Sequence, residues 1–178
     1  MPFFYFAYGS NMLPARLIKR CPSAKVVGRG VARGWRLEFS KASKDGSGKA
    51  TLVAAPNSAV PGVIFEIDLG ERQQLDLHEG VGFGYRRDDV FAVDGSPALT
   101  STYLGTALDE ALRPYDWYLA TVIAGAEHHR LDAGHIVALR TTHFLEDTEL
   151  DRKTRVAAIE AMREHGVEDY RKLLEGLG

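Results

Sequence analysis

The chain has 178 residues, of which 45% are apolar and 26% charged, with 22 Lys and Arg against 24 Asp and Glu. This length and composition are typical of one globular domain and exclude a mainly disordered, collagen-like or coiled-coil protein. The formal charge of −2 excludes a general attraction to nucleic acid or anionic lipid, and no apolar run is long enough for a membrane helix. The single cysteine, Cys21, cannot form an internal disulfide, so we expect a reducing, cytoplasmic environment.

The first predicted element is a strand from Phe3 to Tyr8, in which almost every residue is aromatic. Such a run is typical of a strand that is buried on both faces. Gly9-Ser10-Asn11 ends the strand, and we expect a helix to begin there with Pro14 in its first turn. The first amides of a helix lack partners and lie at the positive end of its dipole, which suits a carboxylate or an oxyanion. An ordinary strand-to-helix turn would have the same sequence.

The next part of the chain, from Val26 to Val93, predicts short strands joined by turns. Runs of β-forming residues lie at 26–27, 35–39, 50–55 and 62–67, with a polar Gly- and Ser-rich turn at 41–49. Asp68 and Glu71 have the spacing of a capping box and predict a short helix that ends at Gly80. Two more strands follow, near 85–93 and 98–104, with Asp94-Gly95 as the turn between them.

Glu79 is the candidate proton-transfer residue. It lies at the predicted C-terminus of that short helix, and the glycine-rich segment 80–84 follows it. A carboxylate held in a pocket can accept a proton and return it, and glycines leave room for a ligand beside the backbone. A solvated glutamate before a flexible loop is the alternative interpretation.

Beyond Pro114 the spacing of apolar residues predicts helices. Strands first and helices later indicate an α+β protein, which we expect to be a single domain over residues 1–178 with a C-terminal helical tail from about residue 146. We expect the apolar residues of this tail to pack on the domain itself, while the sequence leaves a homodimer open. These residues are Met162, Tyr170, Leu173 and Leu174.

The sequence does not predict a metal site. His128 and His129 are adjacent, so they point to different faces of a helix and are expected to be surface residues, as is His135. Ser10 lacks the surroundings of a serine hydrolase nucleophile. Cys21 has no evident activating base, and we expect a partly buried, unreactive thiol.

Three segments together resemble the γ-glutamylcyclotransferase family. Tyr5-Phe6-Ala7-Tyr8-Gly9-Ser10-Asn11 resembles its signature loop, and Leu75-Asp76-Leu77-His78-Glu79-Gly80 is similar to the segment that bears its catalytic glutamate. Tyr118, with Ile123, Gly125 and Ala126, resembles a later helix with a substrate-lining tyrosine. The resemblance implies a small mixed β-barrel flanked by helices. It also implies Glu79 as the catalytic residue, no metal or cofactor, and substrate binding by Tyr5, Phe6, Ala7, Tyr8, Gly9, Ser10, Asn11 and Tyr118.

The reaction implied by the resemblance is an intramolecular aminolysis of a small γ-glutamyl substrate. The α-amine attacks the γ-carbonyl, 5-oxoproline forms, and the attached amino acid or amine leaves. Two other functions stay open. The first is a module that binds a γ-glutamyl or other carboxylate ligand without turnover, and the second is a cyclotransferase for a γ-glutamylamine or biosynthetic intermediate. In the last case the leaving group is expected to contact segments 41–49 or 82–86.

Overall fold

The computed structural model describes residues 1–175, and these contain a five-stranded sheet with helices packed against it. The order of the strands in the sheet is β2-β3-β1-β5-β4. Their bounds are β1 (Pro2–Ala7), β2 (Lys25–Ala42), β3 (Gly48–Asp68), β4 (Tyr85–Phe91) and β5 (Thr100–Gly105).

Strand β1 lies in the middle of the sheet, which confirms the prediction of a strand buried on both faces. It pairs antiparallel with β3 from Pro2↔Asp68 to Ala7↔Val63, and parallel with β5 at Tyr5↔Ser101. Most of its side chains are buried. Because β1 is central, its C-terminal end delivers residues 8–11 to the interior of the protein.

Strands β2 and β3 form one long hairpin, so the prediction of four short strands in this region was wrong. Their pairing runs from Lys25↔Glu66 to Ala42↔Gly48, with the turn inside the predicted polar segment. Register shifts between Val26 and Gly28, and again further along, take up extra residues without ending the strand. β-Bulges therefore let one long strand continue between the short runs of β-forming residues.

The helices supply the remaining layer. Helix α3 is buried along almost its whole length, and both α5 and α6 pack against it. Two short 3₁₀ turns, Ser10–Met12 and Leu69–Glu71, precede α1 and α2. The helix bounds are α1 (Pro14–Arg20), α2 (Arg72–Glu79), α3 (Asp116–His128), α4 (Ala133–Arg140), α5 (Lys153–Glu164) and α6 (Arg171–Leu174).

The two ends of α2 agree only in part with those predicted from the sequence. Gly80 ends the helix with φ +73°, as predicted for a left-handed C-terminal residue. At the other end the Asp68 side chain accepts from the Gly70 amide at 3.0 Å. Glu71 accepts from the backbone and hydroxyl of Ser23 instead, so the predicted reciprocal capping box does not form.

The C-terminal helices pack on the body of the protein. Met162 is fully buried, and the Tyr170 hydroxyl donates to Asp116 Oδ2 of α3 at 2.8 Å. Leu173 and Leu174 are partly buried against the same core. The expected packing of this segment on its own domain is therefore confirmed.

The α+β class is confirmed, but the sheet is open, so the expected β-barrel was too specific. Among residues 1–175 the edge strands β2 and β4 do not pair in a ladder, and an isolated bridge joins Val31 of β2 to Asp94, which lies beyond the end of β4. Strand β4 has 7 residues against 18 in β2, which is too short to close the sheet along that edge. No helix in this part of the chain is long and apolar enough to cross a membrane.

Candidate active site

The turn after β1 presents backbone amides to a small cavity. Gly9 precedes the 3₁₀ turn, and its carbonyl accepts from the Met12 amide at 3.0 Å. Within the described residues, the amides of Gly9, Ser10 and Asn11 have no backbone acceptor, and all three residues line the cavity. The predicted helix thus starts later, at Pro14, but the predicted group of free amides is present.

Gly9 allows a close approach of the opposite wall. A Cβ atom at this position would lie 3.1 Å from the Ala50 Cβ and 3.5 Å from the Tyr118 hydroxyl. A larger side chain would push these groups away from the turn. The glycine is therefore favoured by packing rather than by its backbone angles, since its φ is −116°.

Glu79 lies across the cavity from this turn, 68 residues later in the sequence than Asn11. Its Oε1 accepts from Asn11 Nδ2 at 2.7 Å and from an Arg20 guanidinium nitrogen at 2.9 Å. The same Arg20 nitrogen donates to Asn11 Oδ1 at 3.0 Å. These contacts form a closed triangle that fixes both the carboxylate and the amide, and the Glu79 side chain is only 15% exposed.

Tyrosines build one wall of the cavity. The Tyr5 hydroxyl accepts from Asn11 Nδ2 at 3.1 Å, and the Tyr8 hydroxyl donates to the backbone carbonyl of Tyr103. The Tyr103 hydroxyl donates to Asp76 at 2.8 Å. Burial raises the pKa of Tyr5, Tyr8 and Tyr103, so all three are neutral phenols at physiological pH.

Two further tyrosines hold the peptide group of Ala50. The Tyr85 hydroxyl donates to the Ala50 carbonyl at 2.6 Å, and the Ala50 amide donates to the Tyr118 hydroxyl at 3.1 Å. Burial raises the pKa of Tyr118, which keeps its proton on the oxygen. Because that oxygen accepts from Ala50, its own proton can be donated to a ligand in the cavity.

The cavity is small, with a volume of about 30 Å³, which is room for roughly two water molecules. It combines a carboxylate, free amides and phenol hydroxyls in one enclosure. Its walls are formed by Tyr5, Tyr8, Gly9, Ser10, Asn11, Ala50, Glu79, Tyr85, Tyr103 and Tyr118.

Two residues of the signature loop lie outside this wall. Phe6 points to the other side of β1 and stacks on Phe91, with ring centroids 6.1 Å apart. Ala7 is buried but is not part of the cavity lining. Strand alternation explains the position of Phe6, because Tyr5 and Phe6 face opposite sides of the sheet.

Several residues of the site were not predicted from the sequence, and Arg20 is the most important of them. Arg20 and Arg16 are four residues apart on α1, so they share a helix face, and this spacing is the signal that was available. Arg16 Nε donates to the Ser10 hydroxyl at 3.1 Å. Ala50 and Tyr103 carried no comparable signal, because they reach the cavity through the pairing of distant strands.

A second, larger cleft of about 600 Å³ lies between the β2–β3 hairpin and α4. Phe39 lines this cleft and contacts Tyr118, a residue of the small cavity, edge-to-face. The two rings therefore lie between the cleft and the small cavity. Glu79 and the residue 8–11 turn are not among its lining residues. Size alone therefore does not identify the site, and the convergent polar groups favour the small cavity.

Neither a metal site nor a reactive cysteine is found among the described residues. In the described part of the chain, no group of three or more His, Cys, Asp or Glu side chains is arranged to hold a metal ion. Cys21 is fully buried, and burial raises the pKa of its thiol to about 11. The predicted unreactive thiol at this position is consistent with that environment.

Comparison with known proteins agrees with this arrangement. The family described as "Gamma-glutamyl cyclotransferase, AIG2-like" matches residues 5–119, which include both the turn and Glu79. The chain belongs to this family. The human protein named gamma-glutamylcyclotransferase is 30% identical, and the bovine one 29%, each over 72% of this chain and 72% of the relative.

Solved structures of the family share the fold. A structure titled "Gamma-glutamyl cyclotransferase" superposes with a TM-score of 0.82 at 24% identity, covering 92% of this chain and 99% of the other. An uncharacterized human protein gives a TM-score of 0.80 at 24% identity, covering 91% and 98%. The shared fold therefore extends over about nine-tenths of the chain, well beyond the residues 5–119 that the family sequence matches.

Proposed function

We propose that this protein is a γ-glutamylcyclotransferase, which converts a γ-glutamyl amino acid or amine into 5-oxoproline and the free amino acid or amine. The observation that supports the proposal most is the position of Glu79. Its carboxylate lies across a small cavity from the free amides of residues 9–11. The family's named relatives support the same reaction.

Glu79 is the proposed general base and acid. The α-ammonium group of the substrate must lose a proton before its nitrogen can attack the γ-carbonyl, and the carboxylate accepts that proton. A new C–N bond closes the lactam ring. The old C–N bond then breaks as Glu79 returns the proton to the leaving nitrogen, and the second proton lost by the attacking nitrogen, which ends as the lactam N–H, passes to solvent. One group in both roles contributes about 100- to 10,000-fold to the rate.

The turn at residues 9–11 is the proposed binding site for negative charge. Its free amides suit the oxyanion that develops on the γ-carbonyl, or the α-carboxylate of the substrate. Tyr118 offers a further donor on the opposite wall, because its proton is not used by Ala50. Fixed donors of this kind need no reorganisation when charge develops during the reaction.

The tight enclosure favours a folded substrate. Cyclisation requires the amine and carbonyl of one molecule to meet, and holding them in a reactive geometry supplies about 7–11 kcal/mol in favourable cases. The cavity volume of about 30 Å³ is too small for a γ-glutamyl group. The γ-glutamyl group therefore either extends through the open side of the cavity or displaces side chains of the wall when it binds.

The test is direct measurement of product. Purified protein is incubated with a panel of γ-glutamyl amino acids and γ-glutamylamines, and 5-oxoproline is quantified by chromatography. Release of 5-oxoproline with an equal amount of free amino acid or amine is the expected result. Binding of these compounds without product would identify a non-catalytic module and overturn the proposal.

We also propose a cytoplasmic protein that acts as a single domain on a small-molecule substrate. A buried thiol at Cys21 suits a reducing compartment, and the C-terminal helices pack on the same core as the sheet. A homodimer would require a surface other than Met162 and Tyr170, since both side chains are buried within the chain. Light scattering measures the molar mass and decides this point.

A further inference from the structure

Lys41 is a largely buried cation next to the candidate active site. It lies near the end of β2 and is only 9% exposed. Its Nζ lies 4.6 Å from the ring centroid of Tyr85, a residue that lines the cavity with Glu79. The ammonium group therefore lies on the ring face of a lining residue, next to the cavity and on the side of the β2–β3 hairpin.

Lys41 differs from the lysine directly opposite it. Lys49, its partner in the β-ladder, is neutralised by Asp45 at 2.8 Å and also donates to the Ser47 hydroxyl at 2.7 Å. Over residues 1–175, the Lys41 ammonium makes no ion pair and no hydrogen bond. Its side chain is mostly covered by protein, but water still reaches the Nζ, so this cation without a protein partner is also within reach of a ligand anion.

Two glycines make room for the Lys41 side chain. A Cβ at Gly84 would lie 2.8 Å from Lys41 Cε and 3.1 Å from its Nζ. A Cβ at Gly105 would lie 3.0 Å from Lys41 Cγ. Any other residue at either position would displace the lysine, so the local packing holds the ammonium beside Tyr85.

The charges around Lys41 are mixed. Burial lowers the pKa of its ammonium group, whereas the carboxylates of Glu79 and Asp45 raise it and Lys44 lowers it. Lys41 thus interacts with the proposed catalytic carboxylate without contacting it. A ligand carboxylate at this place would supply the missing counter-charge.

We propose that Lys41 binds the carboxylate of the leaving amino acid, and that it makes the enzyme prefer γ-glutamyl amino acids to γ-glutamylamines. This inference rests on the proposed cyclotransferase function. Glu79 protonates the leaving nitrogen. In an amino-acid leaving group, the carbon bonded to this nitrogen also bears the carboxylate. A carboxylate that close to Glu79 is also repelled by it, and the cation at Tyr85 offsets that repulsion. An amine leaving group has no such carboxylate and gains nothing from Lys41.

The experiment compares two substrates that differ only in this carboxylate, γ-glutamylalanine and γ-glutamylethylamine. The ratio of their kcat/KM values is measured for the wild type, Lys41→Met and Lys41→Arg. We expect wild type to prefer γ-glutamylalanine, and Lys41→Met to lower the ratio by about tenfold to a hundredfold, the worth of a hydrogen bond to a charged group. Lys41→Arg keeps the charge and should retain most of the preference.

Lys44→Met is the matched control, because Lys44 is an exposed lysine of the adjacent turn whose cation lies near Phe83. It should leave the ratio within about twofold of wild type, since exposed charges contribute little. An equal loss on both substrates in Lys41→Met, or a wild type without preference, would show that Lys41 only supports Tyr85 and would overturn the inference.

Binding to the Glu79→Gln protein separates this inference from the proposed reaction. Calorimetry with the same two compounds should show a preference for γ-glutamylalanine that disappears when Lys41→Met is added. That preference without any 5-oxoproline from wild type would refute the reaction and retain the role of Lys41. Equal affinity for both compounds would refute the role of Lys41.

Discussion

The Arg20–Glu79 ion pair gives the sharpest stability prediction. Replacing Arg20 with Met removes both the 2.9 Å contact to Glu79 and the 3.0 Å contact to Asn11. Breaking a fully buried pair costs about 3–5 kcal/mol. The two side chains keep 19% and 15% exposure, so water screens part of the charge left behind, and we expect a loss of about 2–3 kcal/mol in the free energy of unfolding.

Urea denaturation measures this loss, with Lys19→Met as the matched control. Lys19 is the neighbouring residue and pairs with Glu164, but the two side chains are 46% and 52% exposed. Such a surface pair contributes less than about 1 kcal/mol. In a Glu79→Gln background the cost of Arg20→Met should fall to about 1 kcal/mol, because a neutral amide does not need the cation. A cost equal to that of Lys19→Met, or one unchanged in the Glu79→Gln background, would refute this account of the pair.

Three further results are expected. Tyr118→Phe should lower kcat about tenfold or more, because it removes a donor and leaves the Ala50 amide without its acceptor; unchanged kinetics would exclude Tyr118 from the site. His165 accepts from the Ala15 amide at 3.1 Å. Burial lowers the pKa of His165, and the neighbouring His128 lowers it further. The unfolded chain therefore binds more protons, and the free energy of unfolding should fall as pH drops through about 6.5. His165→Asn should reduce that fall, and an identical pH profile would contradict the assignment. Cys21 should resist thiol reagents in the native protein and react only after unfolding; rapid native labelling would contradict its burial.

Local sequence signals predicted much of the secondary structure. The aromatic run Phe3 to Tyr8 and the left-handed Gly80 are set by their own residues, and the structure has both the strand and the helix end. The continuity of the β2–β3 hairpin and the open sheet are not local properties. Bulges such as that between Val26 and Gly28 depend on the partner strand, which the sequence of β2 alone does not reveal.

The candidate site shows the same division. The free amides near Gly9 and the position of Glu79 at a helix end follow from local patterns, and the family resemblance connected them. The tyrosine wall does not follow from local patterns, because Tyr103 and Ala50 lie on different strands of the sheet. Arg20 is an intermediate case, since its spacing from Arg16 indicates a shared helix face but not its carboxylate partner.

Turnover by Glu79→Gln tests the central claim most directly. The substitution keeps the shape of the side chain and removes proton transfer, with Glu71→Gln as the control, since Glu71 binds Ser23 away from the cavity. At a saturating concentration of γ-glutamylalanine, Glu79→Gln should release 5-oxoproline at least about 100-fold more slowly than wild type. Calorimetry should show nearly unchanged binding, and Glu71→Gln should remain active. Release of 5-oxoproline at the wild-type rate by Glu79→Gln would contradict the account.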